Sequence, residues 1–480
     1  MKKIINDFNK LSLGARASII YIFASLVTKG INIITTPIFT RVMTVEQIGV
    51  VNTFTSWSSI LYVVVTLSLN SGGFNIAMSE YKNKRNQYQS SILMLSSLSV
   101  LLFGFLFFIF RNHIESFTGL DGIFFIVMFI DFLFHPALDF WLQRNRYEYN
   151  YKSIAIITIT MSVLSSFVGL GVVLIGNKLL YENTSILRLI GQYTIIMIFA
   201  IVIYIKTIKK GKTMYNSTFW RFALKINIPL IIHSLAKHIL DISDRTMISN
   251  MIGMRAVGIY GTLYNISSLS LIIWTAINAS LIPYTFEKLK NNDYKSINNI
   301  IIPMIIIYAI FCVFLTLISP EIVSLLTTPD YYQAIYLMPP VAAGIFMTSI
   351  YNIYSNILLY HKKTKSIMSA TIIAAVINVF LNYIFISKYG YIAASYTTLF
   401  GYIVLALCQF IMLKIMKINV GYNNIMILII SIIVITLCLI SNLLYPYFVA
   451  RLLVLLLILI FLILYKNQLI NKIRCLLIKK

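Results

Sequence analysis

The feature that most constrains this chain is a succession of about fourteen apolar runs, each near the length that crosses a bilayer. A hydrocarbon core about 30 Å thick takes roughly 20 residues of helix. Runs of that kind stand at 17–38, 48–70, 90–110, 122–142, 154–176, 187–206, 222–243, 257–282, 299–319, 335–359, 366–387, 391–413, 425–444 and 448–465. Backbone polar groups in lipid must be satisfied internally, so spans are helices or closed barrels. The short alternating pattern of a barrel strand is nowhere present. The chain therefore reads as an all-α integral membrane protein with about fourteen transmembrane helices. Its 11% of charged residues, against about 25% in soluble domains, excludes soluble globular, disordered and secreted disulfide classes. Cys312, Cys408, Cys438 and Cys475 form no CxxC pair, so neither a disulfide framework nor a metal site is indicated. The basic lead into the first run lacks a small-residue cleavage site, and a retained first helix is expected.

A formal net charge of +24 suggests nucleic acid until the charges are sorted by side of the membrane. Taken on alternate sides of the spans, 29 of the 39 Lys and Arg residues fall on one side and 7 on the other. The remaining three, Lys29, Lys237 and Arg245, sit within or at the end of apolar runs. Cytoplasmic loops carry that excess in membrane proteins, which places both termini in the cytoplasm and removes the case for a nucleic-acid partner.

The two halves of the chain resemble each other. The segment opening Ile48-Gly-Val aligns without a gap to the one opening Val257-Gly-Ile. Glu80-Tyr-Lys-Asn then finds a counterpart in Glu287-Lys-Leu-Lys-Asn, and Tyr151-Lys-Ser-Ile in Thr364-Lys-Ser-Ile. Six spans separate equivalent elements, so both halves enter the membrane in the same sense. This is a parallel repeat, as in transporters whose halves move about a central site. The expected organisation is a six-helix lobe over 1–206, a basic cytoplasmic linker over 207–221, and a second six-helix lobe over 222–417. Two appended helices and a basic tail over 418–480 complete it. The linker, with Phe219, Trp220 and Phe222, reads either as an interfacial helix on the inner leaflet or as a solvated loop.

Charged groups at membrane depth cost several kcal/mol and face cavities or partners. Lys29, Asn32 and Thr36 share one face of the first span. Lys29 has no acid in its own helix, so it either pairs with another helix or lines a cavity for an anionic ligand, and its isolation favours the cavity. The seventh span carries His233, Lys237, His238, Asp241, Asp244 and Arg245. His233, Lys237, Asp241 and Arg245 follow an i, i+4 rhythm. Lys237–Asp241 and Asp241–Arg245 can neutralise one another along the helix, yet so dense a polar face must border the bundle interior or water. In the fourth span Asp131, His135 and Asp139 recur every four residues beside Pro136. That row fits an H⁺ or Na⁺ relay and equally a structural hydrogen-bond network. No P-loop, nucleophile elbow, HExxH or dinucleotide turn appears in a suitable context, so no enzyme activity and no cofactor is expected.

The residues from the seventh span onward resemble a known family. Asn227-Ile-Pro with His233, Asp244-Arg-Thr-Met-Ile, Val257-Gly-Ile-Tyr and Ala279-Ser-Leu-Ile-Pro with Glu287 are similar to the Wzx-type O-antigen and polysaccharide flippases. These belong to the multidrug/oligosaccharidyl-lipid/polysaccharide exporter superfamily. Lys363-Thr-Lys, Asn378, Asn382, the segment opening Gly390-Tyr-Ile, and Arg144 with Glu148 extend the likeness over nearly the whole chain. The resemblance implies a V of two six-helix lobes working by alternating access in the cytoplasmic (inner) membrane. It also implies a cargo, undecaprenyl-diphosphate-linked oligosaccharide of O-antigen, capsule or lipopolysaccharide type, together with membrane lipids and the polysaccharide assembly machinery as partners. On that footing Lys29, Lys237, Arg245, His233 and His238 bind the substrate, and Asp131, His135, Asp139, Asp241 and Asp244 couple H⁺ or Na⁺ as an antiporter. A multidrug exporter and a lipid II flippase are alternatives within the superfamily. A polysaccharide polymerase is disfavoured because the loops on the far side are short.

Overall fold

A computed structural model of the chain describes residues 13–70 and 72–460. Among the described residues there is no strand, and helices follow one another with short connections. In order they are α1 (Leu13–Val42), α2 (Val45–Val65), α3 (Gly72–Glu80), α4 (Arg85–Ile109), α5 (Arg111–Thr118), α6 (Gly122–Tyr147), α7 (Tyr151–Lys178), α8 (Thr184–Gly211) and α9 (Ser217–Met251). There follow α10 (Met254–Ser267), α11 (Ser270–Lys290), α12 (Tyr294–Leu317), α13 (Ser319–Leu326), α14 (Met338–Tyr360), α15 (Thr364–Tyr389), α16 (Ile392–Ile415), α17 (Asn424–Ile440) and α18 (Phe448–Ile460).

The all-helical membrane fold expected from the apolar runs is present. Among the described residues eleven helices are long and apolar enough to cross a membrane, and a twelfth crossing is made if α10 and α11, bent by 41°, count as one. Two expected spans fall outside that number for different reasons. α9 has 35 residues and rises about 50 Å, but its charged residues dilute its apolarity. α18 is shorter, and residues 461–465 of the expected last span lie outside the described residues, as does the basic tail.

The chain divides into two compact units, Met1–Gly258 and Ile259–Lys480, with the division inside α10. In the first unit α7 packs along α1 and α8, α6 packs on α4 and α8, and α9 packs on α2 and α4. One core is built from Phe74 and Met78 of α3, Tyr88 and Ile92 of α4, Phe140 of α6, Ala200 of α8, and Phe219 of α9. In the second unit α14 is the central helix, in contact with α12, α16 and α17, and α15 packs on α16. Asn382 of α15 accepts from Thr397 of α16 and donates to Asn378. α18 is held to this unit by Arg451, whose guanidinium donates to the Leu317 carbonyl at 3.0 Å and to Glu321 at 2.7 Å.

The expected linker over 207–221 is helical at both ends. α8 runs to Gly211 and α9 starts at Ser217, with the Asn216 side chain accepting the Phe219 N–H. Phe219 is buried edge-on against Tyr81 at 4.8 Å and Tyr88 at 5.4 Å. Trp220 donates through Nε1 to the Ser91 carbonyl at 3.0 Å.

Candidate functional site

All ten residues singled out for binding or coupling belong to the first unit. They lie on three helices. On α6, four-residue spacing puts Asp131, His135 and Asp139 on one face, and the side chains meet. His135 Nδ1 lies 3.0 Å from Asp131 Oδ1, and its Nε2 lies 3.9 Å from Asp139 Oδ1. Asp131 is buried, whereas the His135 and Asp139 side chains are 28% and 22% exposed. The row is therefore closed at Asp131 and partly open at His135 and Asp139. Tyr193 of α8 faces Asp131 from the other side.

Asp139 has two further partners that hydropathy does not reveal. Tyr62 donates its hydroxyl to Asp139 Oδ2 at 2.6 Å, and Asn70 donates its amide to the same oxygen at 2.7 Å. These residues flank an interruption in the second span. α2 stops at Val65, and Leu67 and Ser68 take positive φ values of 57° and 45°, a conformation costly for residues with a Cβ. Hydroxyls satisfy two carbonyls that the break frees: Ser68 bonds to Val63 and Ser99 of α4 to Val65. The sequence signal is Thr66-Leu-Ser-Leu-Asn-Ser-Gly-Gly, a polar and glycine-rich stretch at the end of an apolar run.

On α9, Asp244 and Arg245 are buried at 1% and 7% exposure, and Asp244 Oδ1 accepts the Arg245 backbone N–H at 2.7 Å. Asp241, Asp244 and Arg245 are all engaged with neighbouring groups. Lys237, one turn earlier, is exposed, and His233 Nδ1 is buried with no hydrogen-bond partner among the described residues. His238 is partly buried on the same helix. On α1, Lys29 is partly buried, near the middle of its span. Among the described residues neither Lys29 nor Lys237 has a carboxylate at ion-pair distance. The anticipated Lys237–Asp241 pair along α9 is thus not made. Ammonium groups without a carboxylate counter-charge, one of them close to an orphaned imidazole nitrogen on the same helix, suit an anion. Among the described residues no group of three or more His, Cys, Asp or Glu side chains could hold a metal ion.

Residues 15–289 match the family model described as polysaccharide biosynthesis protein. The chain belongs to that family. Residues 229–384 also match the MatE family model. The chain is 20% identical over 396 residues to the probable low-salt glycan biosynthesis flippase Agl15 of Haloferax volcanii, covering 81% of each protein. Its fold is that of an inward-closed lipid II flippase MurJ structure (TM-score 0.69, 18% identity, 94% of this chain and 99% of that one). It is also similar to an inward-facing multidrug resistance MATE transporter (TM-score 0.61, 14% identity, 81% and 94%). Family and fold together place the chain among the flippases of the multidrug/oligosaccharidyl-lipid/polysaccharide exporter superfamily.

Proposed function

We propose that this chain moves an undecaprenyl-diphosphate-linked oligosaccharide from the cytoplasmic to the outer leaflet of the cytoplasmic membrane by ion-coupled alternating access, with both termini cytoplasmic. The observation that carries this reading is the pair of cations, Lys29 inside the apolar span of α1 and Lys237 on the polar α9, that no carboxylate neutralises among the described residues. A diphosphate needs such partners to enter hydrocarbon. Lys29 and Lys237 lead the assignment. Arg245 is buried and already engaged, so it contributes field more than contact, and His233 and His238 assist. The row Asp131, His135 and Asp139, with Asp241 and Asp244, is assigned to coupling by H⁺ or Na⁺.

A cation-coupled drug exporter is the second reading, favoured by the MatE match over residues 229–384 and by the acidic row on α6. Complementation separates the two. Cells lacking their own polysaccharide flippase are scored for surface polysaccharide and for the side on which labelled lipid-linked sugar accumulates. Restoration by the parent and its loss in well-expressed Lys29→Ala support flipping. No restoration with a matched repeat unit, alongside drug resistance that needs Asp131 or Asp139, decides for the exporter.

A further inference from the structure

A single carboxylate oxygen ties the last turn of α2 to the non-helical break that follows it. Tyr62 stands one turn before the break, and Asn70 stands at its far end. Both donate to Asp139 Oδ2, at 2.6 and 2.7 Å. Between them, Leu67 and Ser68 hold left-handed backbone that a non-glycine residue adopts only under constraint. We propose that Tyr62 and Asn70 are positioning residues that make this break responsive to a proton carried by the Asp131–His135–Asp139 row.

The inference rests on the ion-coupled reading of that row and specifies both the ion and its mechanical consequence. Hydrogen bonds to an ionised acceptor are roughly twice as strong as neutral ones. With Asp139 ionised, the end of α2 and the break are both held on one charged oxygen. A proton arriving in the gap between Asp139 Oδ1 and His135 Nε2, 3.9 Å wide, neutralises Asp139 without displacing either donor. It weakens both bonds together, and residues 66–70 are then free to relax toward ordinary helix. When the proton leaves, the carboxylate recovers its charge and the break is drawn back against α6.

The converging groups favour a proton over Na⁺. The Tyr62 O–H and the Asn70 N–H both point hydrogen at Asp139, and a metal cation would have to displace them. The Tyr62 ring also stands edge-on to His135 at 5.7 Å, closing that side. The titratable groups facing the row are Tyr62 from α2 and Tyr193 from α8. Among the described residues, α3, α4 and α7 present no charged side chain paired with it. Arg144, further along α6, is committed to Glu148, as is Arg85 at the start of α4.

The test uses the full chain in lipid nanodiscs with no cargo. Spin labels are placed on cysteines replacing Thr55 and Ile76, both exposed and on opposite sides of the break, with Cys408 and Cys475 changed to serine. The interspin distance is followed from about pH 4.5 to 8.5 in KCl and again in NaCl. The expected result is a pH-dependent change of distance that NaCl leaves unmoved. Asp139→Asn should hold the low-pH distance throughout, and Tyr62→Phe or Asn70→Ala should abolish most of the response. A distance independent of pH overturns the proposal, as does a shift that survives Asp139→Asn or one driven by Na⁺ at fixed pH. If Asp139→Asn does not fold, Tyr62→Phe and Asn70→Ala decide: an undiminished response in both is fatal. Because no cargo is present, failure here leaves the transport reading to the complementation assay, and failure there leaves this result standing.

Discussion

A Cβ atom added to Gly49 would lie 1.8 Å from the carbonyl oxygen of Met254, and one added to Gly258 would lie 2.0 Å from the carbonyl oxygen of Val45. These contacts are reciprocal. The internal repeat aligns Gly49 with Gly258 and therefore Val45 with Met254 and Glu46 with Arg255. Glu46 and Arg255 are themselves joined at 2.9 Å. Equivalent helix starts thus cross each other through two glycines, with an ion pair beside them. Gly49→Ala or Gly258→Ala should lower the melting temperature of the purified protein by a few degrees, because overpacking costs about 1–3 kcal/mol and the contact is backbone that cannot rotate away. Helix propensity alone gives alanine an advantage of up to about 1 kcal/mol, so a stabilised variant would show that the crossing opens freely.

Lys29 and Lys237 should differ from the other basic residues in what their removal does. Alanine at either position is expected to reduce transport about 10- to 100-fold, the worth of one charge-assisted contact of about 1.5–3 kcal/mol. Thermal stability should stay near the parent value, since no carboxylate loses a partner among the described residues. Lys29→Arg should retain most activity. Flipping of labelled lipid-linked sugar in proteoliposomes, beside melting curves, checks both halves. Equal losses of stability and transport would make the lysines structural.

The parts of this arrangement that were legible in the sequence are those governed by local periodicity. Apolar run length marks each helix, and i, i+4 spacing brings Asp131, His135 and Asp139 together. What was hidden depends on distant partners. Tyr62 and Asn70 lie 77 and 69 residues from Asp139, and Leu67 and Leu69 keep the second span apolar through a break that hydropathy averages away. The same limit explains Phe219 and Trp220, whose aromatic character fits a lipid interface until Tyr81, Tyr88 and Ser91 are seen to receive them. It also explains Lys237, where spacing permits a pair with Asp241 that the fold does not make.

Arg451 should prove to be the residue that docks α18. It is 5% exposed and bonds both to the Leu317 carbonyl and to Glu321, whose own side chain is 46% exposed. Arg451→Met keeps the stem and removes the guanidinium. The half-exposed Glu321 can turn to water, so the loss should be about 1–3 kcal/mol, below the cost of stranding a fully buried partner. Glu321→Gln should cost less than Arg451→Met, since the carbonyl of Leu317 remains as an acceptor. Limited proteolysis near residues 441–451, together with melting curves, distinguishes undocking of α18 from global loss of stability.

Asp293 provides the pH dependence that can be assigned outside the membrane spans. It precedes α12 and accepts from both the Ser296 backbone N–H, at 3.2 Å, and Lys288 Nζ, at 2.9 Å. Hydrogen bonding from Ser296, then from Lys288, lowers its carboxyl to about 2. A depressed carboxylate stabilises the fold above its unfolded value, and that contribution is lost as pH falls toward its folded value. The helix start should therefore be unaffected at neutral pH and weaken between about pH 4 and 2. Asp293→Asn keeps a side-chain oxygen suited to a helix N-cap and removes the titration. Melting temperatures measured from pH 2 to 6 should decline less steeply for Asp293→Asn than for the parent. Parallel curves would show that the acid lability arises elsewhere, in carboxylates within the bundle.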